Sequence, residues 1–141
     1  GFYGVLKPLD GVTPYRLEMQ VKASVSSFRN LYDFWGDSLY HEVLPEDRVI
    51  INLASKEYSK CIEKYLQPQD TYITVVFGEL SHDKVVTKGV YAKMARGEMV
   101  RFMAEIGAQH PEQIQDFDRG YRFDEKRSTD TEYVFIRKMD K

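Results

Sequence analysis

The sequence predicts an α/β fold, in which an α+β mixed sheet with flanking helices forms a single unit over residues 1–141. Two segments of strand length, an apolar run at residues 48–54 and a stretch at residues 71–77, are rich in β-branched side chains. Longer segments between them repeat apolar residues at helical spacing, most clearly from Lys88 to Met103. With 141 residues, of which 43% are hydrophobic and 30% charged, the chain is long and apolar enough to bury a core.

The first third of the chain is predicted to contain loops, one strand and one helix. Prolines and glycines over residues 1–22 exclude a long helix there, and alternating side chains predict a strand over about residues 15–21. Apolar residues at helical spacing predict a helix over about residues 30–44 that ends at Pro45. Trp35 lies in the apolar stripe of this helix, so a core position is favoured over a role in stacking on bases.

A strand that leads directly into a helix makes a candidate anion site. The apolar run at residues 48–54 is typical of a strand buried on both faces, and Ser55 is expected to cap a helix reaching about residue 66. Such a junction offers backbone N–H groups and a favourable helix dipole to an anion, so Asn52, Ser55 and Lys60 are candidate binding residues. The alternative is that Ser55 only caps its helix.

The rest of the chain is predicted to form two strand pairs separated by helices. The first pair is predicted over residues 71–77 and 84–90, joined by a polar turn at residues 81–83. The remaining predicted elements are a helix that ends near Gly107, a short helical piece from His110 to Phe117, and a hairpin of residues 119–123 and 132–137.

The helix that follows the first strand pair is the leading candidate for a binding surface. Its apolar side is expected to contain Ala95, Met99, Phe102, Met103 and Ile106, and its far side Lys93, Arg96 and Arg101. Gly97 lies between these cations and would let an anion approach the backbone closely. From residue 84 to residue 103 there are five Lys or Arg and one acid, although the whole chain has a net charge of −2. Such a concentration is typical of a phosphate-contacting surface, although a solvated outer helix face would look the same.

A second cation lies on the strand predicted near the N-terminus. Arg16 and Glu18 are two residues apart and would share one face of that strand. The pair fits either a surface ion pair or a guanidinium held in position to meet phosphate.

No metal, cofactor or nucleophile pattern stands out, so no catalytic residue, metal ligand or cofactor is expected. The three histidines are scattered, and Cys61 is the single cysteine. A lone cysteine agrees with a reducing, cytoplasmic setting. No apolar run is long enough to cross a bilayer, and no signal segment is visible, so no membrane partner is expected.

Several blocks of the sequence, in order along nearly the whole chain, resemble the YaaA family of peroxide-stress proteins. They include Pro14-Tyr-Arg-Leu-Glu-Met19, Ile51-Asn-Leu-Ala-Ser-Lys-Glu-Tyr58 and Tyr91-Ala-Lys-Met-Ala-Arg-Gly97. The chain begins Gly1-Phe-Tyr-Gly without an initiator Met. The resemblance therefore implies the C-terminal part of a longer YaaA-like domain, whose N-terminal portion with its Ser-Pro-Ala-Lys-Thr motif is missing.

What the resemblance implies is a bacterial DNA-binding protein that protects against hydrogen peroxide by limiting free intracellular iron. Its matched blocks point to Lys93, Arg96, Gly97, Arg101, Arg16, Asn52 and Ser55. Lys7 stands where the family often has Arg, a change that keeps the charge but loses bidentate geometry. No chemical reaction is implied.

Two hypotheses of different classes follow. The first is non-enzymatic, largely sequence-independent binding of DNA through phosphate contacts. The second is an enzyme acting on nucleic acid or a nucleotide, which requires five side chains to converge in one pocket: Glu18, Asn52, Ser55, Lys93 and Arg96. Direct iron sequestration would need clustered His and carboxylate residues, which the sequence does not offer.

Overall fold

The computed structural model describes residues 5, 6, 11, 19, 20 and 29–139, and these confirm the predicted α/β fold with a mixed sheet. From residue 49 onward the helices and strands follow one another along the chain as predicted, with two short 3-10 helices in the second half. In chain order the elements are α1 (Leu31–Trp35), α2 (Ser38–Val43), β1 (Val49–Asn52), α3 (Lys56–Glu63), β2 (Thr71–Ser81), β3 (Lys84–Val86), α4 (Gly89–Ile106), a 3-10 helix (Pro111–Asp116), β4 (Tyr121–Phe123), a 3-10 turn (Glu125–Arg127) and β5 (Glu132–Arg137).

The sheet is mixed because it contains both parallel and antiparallel strand pairs. The strand order is β1-β2-β5-β4, with β3 also pairing with β2. β2 and β5 run parallel in a register that places Thr74 opposite Glu132 and Gly78 opposite Ile136. β4 pairs with β5 and β3 pairs with β2, both antiparallel, which confirms the two predicted strand pairs.

The turn between β2 and β3 brings the two strands close together. His82 and Asp83 both have positive φ values, 50° and 64°, as in the two-residue turns that match the twist of a hairpin. A Cβ built on Gly78 would lie 2.5 Å from Val85 Cγ1 and 3.1 Å from the carbonyl oxygen of Val86. The hairpin therefore needs glycine at this position, because any side chain would push β3 away from β2.

Contacts divide the chain into two compact units, Gly1–Val49 with Ala54–Asp70 and Ile50–Leu53 with Thr71–Lys141. The core of the second unit is formed by one face of the sheet, α4 and the Pro111–Asp116 3-10 helix. Aromatic side chains dominate it, and Phe77 contacts Phe117 edge to face with ring centroids 5.8 Å apart. The buried residues of this core are Ile73, Val75, Phe77, Ala92, Ala95, Met99, Ile114, Phe117, Tyr121, Tyr133 and Phe135.

In the first unit, the helix predicted over residues 30–44 is split in two, so that prediction was wrong. Gly36 has φ 51°, a left-handed conformation that ends α1 and lets the chain turn into α2. Trp35 is half-buried at the end of α1. The carboxylate of Asp70 is fully buried and accepts hydrogen bonds from the Tyr40 hydroxyl at 2.5 Å and the Gln67 N–H at 2.8 Å.

Three other predicted bounds or burial patterns differ from the structure. β1 was expected to be buried on both faces, but only its last residue, Asn52, is buried, and among the described strands β1 lies at the end of the strand order. α3 ends at Glu63, and the strand predicted to reach residue 90 ends at Val86 because α4 begins at Gly89. The strand predicted over residues 15–21 lies largely outside the described residues.

Candidate nucleic-acid interface

The candidate interface is built on α4, an 18-residue helix with well-defined ends. Lys88, in an extended conformation, occupies the N-cap, and Gly107 occupies the C-cap with φ 60°. The N–H of Gly107 donates to the carbonyl of Ala104 at 3.3 Å, and the N–H of Ala108 donates to that of Met103 at 3.0 Å. Glycine adopts this left-handed cap without steric cost, which is why the helix ends where the sequence predicted.

One side of α4 packs into the core. Ala92, Ala95 and Met99 are buried, and the partly buried Phe102 and Met103 pack against the same cluster. This confirms most of the predicted apolar stripe. Its last member, Ile106, is 42% exposed, and its neighbours Ala104 and Glu105 at the end of the helix are exposed as well.

The opposite side of α4 carries the predicted cations, but they do not form one row. At 3.6 residues per turn, Gly97 lies about 40° around the helix from both Lys93 and Arg101, whereas Arg96 lies about 140° from Arg101. Lys93, Gly97 and Arg101 are exposed, and Arg96 is half-buried at the border of the core side. A Cβ on Gly97 would meet nothing within 4 Å, so the backbone there is open.

Arg101 is neutralised by a carboxylate of its own helix. Its Nε lies 2.9 Å from Glu105 Oε1, and Glu105 also pairs with Arg119, which lies 3.4 Å from Glu98 Oε2. Hydrogen bonds from Arg119 and then Arg101 lower the pKa of Glu105 below 4.5. The carboxylate therefore keeps its charge into mildly acidic solution, and the stabilisation from these pairs is lost only as the pH falls through that lowered pKa.

A second network neutralises the cation at the start of α4. Lys88 Nζ lies 2.9 Å from one oxygen of Glu79, and Arg137 lies 2.7 Å from the other. Hydrogen bonds from Lys88 and then Arg137 lower the pKa of Glu79. The Arg137 guanidinium also stacks on Tyr91, 3.6 Å from the ring centroid, so it holds the first turn of α4 against β5.

Lys93 and Arg96 differ from these cations. Among residues 29–139, neither has a carboxylate within ion-pair distance, and Arg96 Nε is buried without a hydrogen-bond partner. A buried charged donor without an acceptor costs about 1–3 kcal/mol or more. Both side chains therefore keep a positive charge that no described carboxylate neutralises, and Lys93 lies on the same side of α4 as the open backbone of Gly97.

The other predicted site residues lie on different elements. Asn52, at the end of β1, is buried, and its Nδ2 donates to Thr74 Oγ1 at 3.4 Å. Ser55 occupies the N-cap of α3, and its backbone carbonyl accepts from the N–H of Ser59 at 2.9 Å, although its side chain makes no capping bond. Lys60 is exposed in the last turn of α3.

Three residues with predicted roles lie outside the part of the chain that the structure describes. Lys7 and Arg16 belong to the predicted phosphate-binding set, and Glu18 to the enzyme hypothesis. Their positions relative to Lys93 and Arg96 remain predictions from the sequence.

Counting charges over residues 84–103 did not reveal the residues that form ion pairs with α4. Glu105 lies four residues after Arg101, a spacing that favours pairing, but it falls just beyond the interval counted. Glu79 and Arg119 are separated from α4 by turns, and no local pattern signals their contacts. The positive charge of residues 84–103 is thus smaller at the surface than the sequence indicates.

Among the described residues no three His, Cys, Asp or Glu side chains are grouped as metal ligands would be. None of the helices within the same residues combines the length and apolar character needed to span a membrane.

The fold and the cation-bearing helix define an α/β protein with a candidate anion-binding surface, and comparison with known proteins identifies its family. A family model described as "Peroxide stress protein YaaA" matches residues 1–127, and the chain belongs to this family. A curated relative from Agathobacter rectalis, named UPF0246 protein, is 63% identical over 139 residues, which cover 98% of this chain and 56% of the relative. Another UPF0246 protein, from Desulfitobacterium hafniense, is 56% identical over 140 residues, which cover 99% of this chain and 56% of that relative. The chain thus spans about half the length of the curated relatives it matches.

Proposed function

We propose that this chain supplies a phosphate-contacting surface through which a protein of the peroxide response binds DNA, largely independently of sequence and without catalysing a reaction. Membership of the peroxide-stress family supports the physiological role. The observation that supports the binding mode is that Lys93 and Arg96, about 60° apart around α4, lack carboxylate partners among the described residues, and that the open backbone of Gly97 lies about 40° from Lys93.

The chemistry of this surface suits a polyanion better than a small substrate. Ammonium and guanidinium groups contact phosphate oxygens without reading bases, which gives affinity without sequence preference. A glycine on the same helix side as Lys93 lets a phosphate approach the helix backbone more closely than any side chain would permit. The family further suggests that DNA binding helps to limit free intracellular iron, and we propose that this effect is indirect. Stoichiometric uptake of Fe²⁺ by the chain in calorimetry would contradict this part.

The test is the salt dependence of duplex binding, measured by fluorescence anisotropy of a labelled duplex. For duplex DNA each phosphate contact contributes about 0.9 to the slope of log K against log salt concentration. The double variant Lys93→Ala/Arg96→Ala should therefore lose about 1.8 from the slope and bind at least tenfold more weakly at low salt.

Arg101→Ala is the matched control, because it removes a cation of the same helix that Glu105 already neutralises. It should change the slope by much less than one contact. An unchanged slope in the double variant, equal losses in the double variant and the control, or no duplex binding by the wild-type chain would each overturn the proposal. Circular dichroism melting of each variant verifies that it is folded.

A further inference from the structure

A cavity lies within the first compact unit, and Lys60, one of the predicted binding residues, is among its lining residues. Its volume is about 350 Å³, within the range of about 300–1,000 Å³ typical of small-molecule sites. Among the described residues it is lined by one residue of α1 and five from α3 and the turn that follows it: Tyr32, Lys60, Cys61, Glu63, Lys64 and Tyr65.

The walls of the cavity combine two aromatic rings with a neutral thiol. The Tyr32 hydroxyl donates to the backbone carbonyl of Glu57, which fixes the orientation of the ring. Burial raises the pKa of Tyr32, so its phenol is uncharged at neutral pH. The Cys61 thiol donates to the carbonyl of Tyr58 at 2.7 Å, and burial raises its pKa as well. These groups present flat and weakly polar surfaces.

The rim of the cavity is positively charged on balance. Lys60 and Lys64 are exposed, and within residues 29–139 neither forms an ion pair with a carboxylate. The Lys64 ammonium lies 5.0 Å from the centroid of the Tyr65 ring. Glu63 is the opposing charge among the lining residues, which leaves a net charge of +1 at the rim.

We propose that this cavity binds a nucleotide, with its base against the tyrosine rings and its phosphate at Lys60 and Lys64. Aromatic rings bind bases through their faces, without regard to sequence, and lysines contact the phosphate. The nucleotide has two sources, a free mononucleotide or an unstacked nucleotide of single-stranded DNA. The proposal rests on the cavity alone and does not require the duplex contacts of α4.

The chain provides its own reporter, because Cys61 is its only cysteine and lines the cavity. The rate at which a thiol reagent modifies Cys61 is measured at pH 8.5 with and without dAMP. The nucleotide should slow modification severalfold, whereas inorganic phosphate and deoxyadenosine at the same concentration should slow it much less. No protection by dAMP or by a single-stranded dA oligonucleotide, or equal protection by phosphate alone, would overturn the proposal.

Charge variants test the phosphate end of the site. Lys60→Glu/Lys64→Glu should abolish protection of Cys61, and Glu63→Gln should strengthen it. Lys56→Glu is the matched control, since Lys56 is exposed on the same helix but does not line the cavity. Equal loss in the control would show only a general effect of charge and would refute the site.

Ring variants test the base end and identify the source of the nucleotide. Tyr65→Leu should weaken dAMP binding about tenfold, and Tyr65→Phe should restore it, because stacking needs the ring and not the hydroxyl. Equal loss in both would contradict stacking. An oligonucleotide that protects Cys61 at least tenfold more tightly than dAMP indicates single-stranded DNA, and otherwise the free nucleotide is the ligand. Lys93→Ala/Arg96→Ala should leave protection by dAMP unchanged, which separates this test from that of the duplex surface.

Discussion

The two halves of α4 carry similar cations, but these differ in whether a carboxylate neutralises them. In the C-terminal half, Arg101 is held by Glu105, which also pairs with Arg119 from a later loop. In the N-terminal half, Lys93 and Arg96 have no carboxylate partner among the described residues, and the glycine between the halves is open. The number of cations on a helix therefore does not determine its binding surface; what matters is which of them are already neutralised.

The largest expected effect tests the orientation of α4, on which the comparison depends. Met99 is fully buried, and Met94, one turn and a half earlier, is 65% exposed. Met99→Ala should lower the free energy of unfolding by about 2–5 kcal/mol, because it leaves a cavity in the core. Met94→Ala should change it by less than about 0.5 kcal/mol. Urea denaturation measures both, and a larger loss for Met94→Ala would show that α4 is rotated and that Lys93 does not face outward.

The next effect concerns the glycine that separates the two halves. Gly97→Ala should raise the free energy of unfolding by about 1 kcal/mol, because alanine favours the helix and its Cβ meets no neighbour. The same substitution should weaken duplex binding severalfold, because the methyl group keeps phosphate away from the backbone. For this one variant, melting should therefore show higher stability, and fluorescence anisotropy should show weaker duplex binding. A more stable variant with unchanged affinity would mean that Gly97 has no part in the interface.

The smallest expected effect comes from a substitution that leaves the cation of the C-terminal half unpaired, as the cations of the N-terminal half are. Glu105→Gln removes the carboxylate that neutralises Arg101, so duplex affinity should rise about two- to fivefold and the salt slope should steepen by up to about 0.9. Titration of a labelled duplex at several salt concentrations measures both quantities. If the affinity does not change, pairing is not what keeps Arg101 out of the interface. Glu112→Gln, an exposed carboxylate on the following 3-10 helix, is the control for the change in net charge.

Local features of the fold were predictable because their causes are local. The end of α4 at Gly107, the 3-10 helix that begins at Pro111 and the turn at His82 and Asp83 each follow from the residues that form them. The break at Gly36 was harder to predict, because this glycine lies inside a stretch of helical spacing and the sequence pattern does not indicate its left-handed conformation.

The candidate site was predictable only in part. The residues of α4 and the family were both evident from the sequence, since the matched blocks occur in order along the chain. The ion pairs of Arg119 with Glu105 and of Arg137 with Glu79 join residues 14 and 58 positions apart. Pairings of this kind depend on which elements the sheet brings together, so no periodicity or spacing reveals them.

The parallel pairing of β2 with β5 has a consequence for the order of folding. Thr74 pairs with Glu132, 58 residues later, so the centre of the sheet forms only when the chain between them has closed into a loop. The β2–β3 hairpin needs no such loop, so we expect it to form before the centre of the sheet, while the buried side of α4 has only a partial surface to cover it. Until β5 pairs with β2, Phe77 lacks its partner Phe135, and we expect exposure to aggregation to be greatest in this interval.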